Sequence, residues 1–122
     1  MLLNDKIAII KNFKEPAITA LNSYLDRIYS LTDNYIDENN LLKENLQEDK
    51  KVLNFINELK VDAKKYENVR TKLLNDNFCF TLVEINYIAL AFYYSIEIMK
   101  KQKETIENTI SSLNDIVKKL MS

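Results

Sequence analysis

The sequence predicts an all-α fold: an elongated antiparallel helical bundle or coiled coil of three main helices, with a short helix at the N-terminus. Residues 82–120 supply the first reason. Leu82, Ile85, Ala89, Phe92, Ile96, Met99, Lys103, Ile106, Ile110, Leu113, Val117 and Leu120 follow one another at alternating spacings of three and four. That spacing holds one stripe of a helix against a partner, turn after turn. Composition supplies the second reason. The 122 residues include no glycine and a single proline, so the residues that normally build hairpin turns, bulges and left-handed caps are missing. The length fits one domain, 1–122, with a modest core.

The first helix is expected over 4–14, where Ile7, Ile9, Ile10 and Phe13 supply apolar contacts. Pro16 suits the first turn of the next, because its missing N–H would have no intrahelical partner there. That helix is read over 16–36, with Ile18, Leu21, Leu25, Ile28, Leu31 and Tyr35 on one side. Asp37-Glu38-Asn39-Asn40 marks a break, since Asp and Asn side chains compete for backbone bonds. A continuous helix from Pro16 to Leu74 is the other reading. The third main helix covers 41–74 and carries Leu42, Leu46, Val52, Ile56, Leu59, Ala63, Tyr66 and Leu73.

Asn75-Asp76-Asn77 is the clearest loop. Thr81 with Glu84 then reads as a capping box, hydroxyl and carboxylate each satisfying a backbone donor at a helix start. The heptad stripe that follows predicts one helix over 82–120, roughly 58 Å long at about 1.5 Å per residue.

Folding back at 75–81 makes 41–74 and 82–120 the main helical pair. It sets Leu73 near Leu82, Tyr66 near Ala89, Leu59 near Ile96 and Leu46 near Ile110. Lys103, the polar member of the stripe, then falls near Val52 and within a turn of Glu48 and Asp49. Lys103 with Asp49 is therefore a candidate register-setting pair; the alternative is a lysine that extends its ammonium to water.

Chemistry is easier to exclude than to assign. With no histidine, the usual zinc sites, carboxylate–histidine di-iron centres and histidine acid–base catalysis are lost together. The absence of glycine removes phosphate-cradling loops and the nucleophile elbow. Cys79 is the one cysteine, and between Phe78 and Phe80 it is expected to be a small buried hydrophobe. No catalytic, cofactor-binding or metal-ligating residue is predicted, and the chain is expected not to be an enzyme.

The net charge of −1 comes with no dense basic cluster, so direct nucleic-acid binding is not expected. The longest strongly apolar stretch, 85–96, is shorter than the roughly 20 residues a bilayer requires. Together with the lack of a signal-like N-terminus, this predicts a cytoplasmic protein without a membrane span.

Two candidate surfaces remain. Val83, Tyr87, Leu90, Tyr93, Tyr94 and Ile98 give the first half of the last helix a second apolar face, which either lies under the N-terminal helix or contacts another protein. Asp33, Asp37, Glu38, Glu44 and Glu48 form an acidic stretch that could face a basic partner, or simply a solvated surface. The expected function is a non-enzymatic protein-binding module, an adaptor or inhibitor of a larger protein. The Asn, Ile and Lys content suggests a phage or mobile element of an AT-rich bacterium. The alternative is a structural coiled coil acting through its own oligomer, a homodimer being the simplest case. In size and helical class the chain also resembles bacteriocin immunity proteins, which implies a third, binding-type role; small secreted hairpins built on a Trp-X-Gly motif are excluded by composition.

Overall fold

The computed structural model describes residues 1–33, 50–101 and 107–122. Within them apolar periodicity becomes five helices: α1 Leu3–Asn12, α2 Lys14–Asp33, α3 Lys50–Leu74, α4 Leu82–Lys101 and α5 Glu107–Met121. No strand occurs among the described residues, and the fold class is all-α.

The first junction is made by one residue. Phe13 leaves helical geometry at φ −120°, ψ 32°. Its N–H donates to Ile9 O and Ile10 O, and its carbonyl accepts from Ala17 N at 3.0 Å. Pro16 lies in the first turn of α2, where it removes no helical hydrogen bond.

The end of α3 needs a left-handed residue, and without glycine Asp76 takes the position at φ 53°. Asn77 N donates to Lys72 O at 2.8 Å and Asp76 N to Leu73 O at 3.2 Å, closing the last turn as a Schellman cap. The start of α4 is the expected capping box. Thr81 N donates to Glu84 Oε1 at 3.1 Å, and Glu84 N to Thr81 Oγ1 at 3.2 Å.

Helix α2 packs extensively on both α3 and α4, and α4 in turn packs extensively on α5. Helix α2 runs antiparallel to α3, with Lys14 meeting Asp76 at one end and Tyr24 meeting Tyr66 farther along. Leu21 and Leu25 from α2, Val69 and Leu73 from α3, and Ile85, Ile88 and Phe92 from α4 fill the core. Each such side chain contributes about 1.5–3 kcal/mol by leaving water. The short α1 closes against α2, α4 and α5.

Two expectations about the helices change. The stripe over 82–120 is not one helix, because α5 packs back along α4. Each part still buries much of its stripe: Ile85, Ala89, Phe92 and Ile96 in α4, and Leu113, Val117 and Leu120 in α5. A heptad reports which face is apolar and is blind to whether that face meets another helix or a later stretch of its own. Nor are α3 and α4 the main pair, since α2 stands between them and their mutual contact is narrow.

Tyr66 does reach α4, its ring 5.2 Å from that of Tyr87, but Leu82 faces solvent rather than Leu73. Cys79 is exposed, contrary to expectation. Between the helices Phe80 N donates to Phe78 O at 3.1 Å, a three-residue turn centred on Cys79; with Phe80 buried and Phe78 half-buried, the cysteine at its apex is left facing outward. The break at 37–40 and residues 41–49 lie outside the described residues, as do Lys103 and Asp49.

Candidate functional site

The predicted apolar face of α4 divides into an inner and an outer part. Tyr87 and Tyr94 belong to the inner part. Tyr24 of α2 lies between Tyr66 at 4.3 Å and Tyr94 at 5.4 Å, the latter edge-on at 86°, and Tyr66 continues to Tyr87. Edge and tilted contacts of this kind favour the ring quadrupoles. Arg27 sits 5.5 Å over Tyr94 and Lys65 6.0 Å over Tyr87, so a cation covers each end of the cluster. Burial, with Tyr24 adding to it, pushes the Tyr66 hydroxyl far above the ordinary tyrosine pKa. It stays protonated and packs as an aromatic.

The outer part is Val83, Leu90 and Tyr93, with relative exposures of 57, 43 and 53%. Leu82, assigned by the heptad to the core stripe, joins them at 53%. At 3.6 residues per turn these four side chains fall within about 100° of arc on the solvent side, as two apolar pairs, Leu82 with Val83 and Leu90 with Tyr93, separated by the exposed Asn86. Ile98 is half-buried and outside that arc. Glu97 and Lys100, paired at 3.5 Å, stand at its C-terminal end. The stripe was only half legible in sequence, because Leu82 matches the phase of buried residues while lying at the helix start, before the neighbouring helices cover that face.

At the N-terminal end of α4 the polar contacts are dense. Lys72 Nζ binds Glu84 at 2.9 Å to Oε1 and 2.8 Å to Oε2, donates to Cys79 O at 3.0 Å, and lies 5.6 Å over the Phe80 ring. Burial by itself would raise the Glu84 pKa. Hydrogen bonds from Lys72 and Thr81 outweigh it and hold the carboxylate below its ordinary value. Lys14 meets Asp76 at 2.6 Å, and that hydrogen bond raises the lysine pKa. These contacts fix the turn that presents Leu82 and Val83.

A second feature, absent from the sequence reading, is a groove between α2, α4 and α5 with a volume of about 590 Å³. Phe92, Met99, Leu113 and Ile116 give it apolar walls, and Thr19, Ser95, Thr109 and Ser112 place hydroxyls along it. No periodicity argument finds a space, because it arises from three helices meeting where several side chains are small.

Of the predicted acidic patch, Asp33 is exposed at the end of α2; Asp37, Glu38, Glu44 and Glu48 lie outside the described residues. Among the described residues no three Cys, Asp or Glu side chains gather as metal ligands. With 20 residues and a mean hydropathy of 1.3, α4 is long and apolar enough to cross a membrane. The expectation drawn from 85–96 was thus too short, because the helix extends beyond that stretch at both ends. A mostly buried core helix meets the same measure; here 33% of an 18-residue apolar window is buried. Comparison with protein-family models, curated proteins and solved structures finds no match to this chain.

Proposed function

We propose that the chain is a non-enzymatic protein-binding module, an adaptor or inhibitor that docks on a larger protein with a helical bundle as its scaffold. The observation carrying this reading is the outer stripe of α4: Leu82, Val83, Leu90 and Tyr93, all 43% or more exposed on one helix face. A single exposed apolar residue is ordinary, whereas four gathered on one helix face, with charged Glu97 and Lys100 at its end, support an interaction surface. From Leu82 to Tyr93 the four extend about 16 Å along the axis, which suits the apolar face of a partner's amphipathic helix. Tyr93 supplies the broad apolar area with a polar tip that recurs at protein interfaces.

A photo-crosslinking amino acid placed at Leu90, with exposed Asp26 on α2 as the control position, tests the reading in the source cell. One larger protein should crosslink from position 90 but not from 26, and Tyr93→Glu should abolish the product. Crosslinking only to a second copy of the chain would replace the adaptor reading with self-assembly. Absence of any product specific to position 90 would reject both.

A further inference from the structure

We draw no further inference here: the strongest candidate, the groove between α2, α4 and α5, has an end at Met99 and Thr109 that adjoins residues outside the described ones, and nothing in the structure shows what occupies it.

Discussion

Asp76 occupies the left-handed position at the end of α3 that glycine fills in most helix caps. Aspartate tolerates that geometry better than most residues because its short side chain bonds locally, and here it also receives Lys14. Asp76→Gly and Asp76→Ala both lose the ion pair, so their difference isolates the backbone. The alanine variant should be less stable than the glycine variant by about 1 kcal/mol in urea unfolding. Glu84 gives a pH prediction. Its folded pKa lies below the ordinary 4.5, so the unfolded chain takes up the proton first as pH falls. Its stabilisation is complete above the ordinary value and disappears as pH drops through the lowered one. The urea midpoint of Glu84→Gln should therefore fall below that of the native chain at neutral pH and approach it as pH falls through the lowered value. At this scale the sequence was readable where the contact is local. Thr81 and Glu84 are three residues apart and need no tertiary information, whereas the exposure of Cys79 depends on which way the turn between α3 and α4 faces.

Helix by helix, the apolar pattern located α1, α2 and the ends of α3 and α4 that meet at residues 75–81. It failed on connectivity. The stripe of α4 and α5 keeps its phase across residues 102–106, and phase carries no information about a reversal of the chain. Leu82 and Ile96 belong to the same heptad series and separate the two descriptions. Ile96 is 1% exposed, and Ile96→Ala should cost about 2–5 kcal/mol. Leu82 faces solvent, and Leu82→Ala should stay within about 0.5 kcal/mol of the native chain. Similar losses at both positions in chemical denaturation would restore the continuous stripe. The groove was illegible for a related reason: Ala20, Ser95 and Ser112 are distant in sequence, and their joint smallness becomes visible only when three helices are assembled.

Across the whole molecule, α2 buries one face of α4 while the opposite face remains apolar and open. Stability and recognition are thus assigned to different sides of the same helix. Tyr93→Glu should leave the unfolding free energy within about 0.5 kcal/mol of the native value while removing the crosslinked product, and a large fall in stability would instead make the stripe part of the core. The rings beneath that face have a further use. The chain contains seven tyrosines and no tryptophan, and Tyr24, Tyr66, Tyr87 and Tyr94 are held in fixed mutual orientations by α2, α3 and α4. Their near-ultraviolet circular dichroism is a native optical signal for the docking of those three helices. It can be followed without a label, and independently of the far-ultraviolet signal that every helix shares.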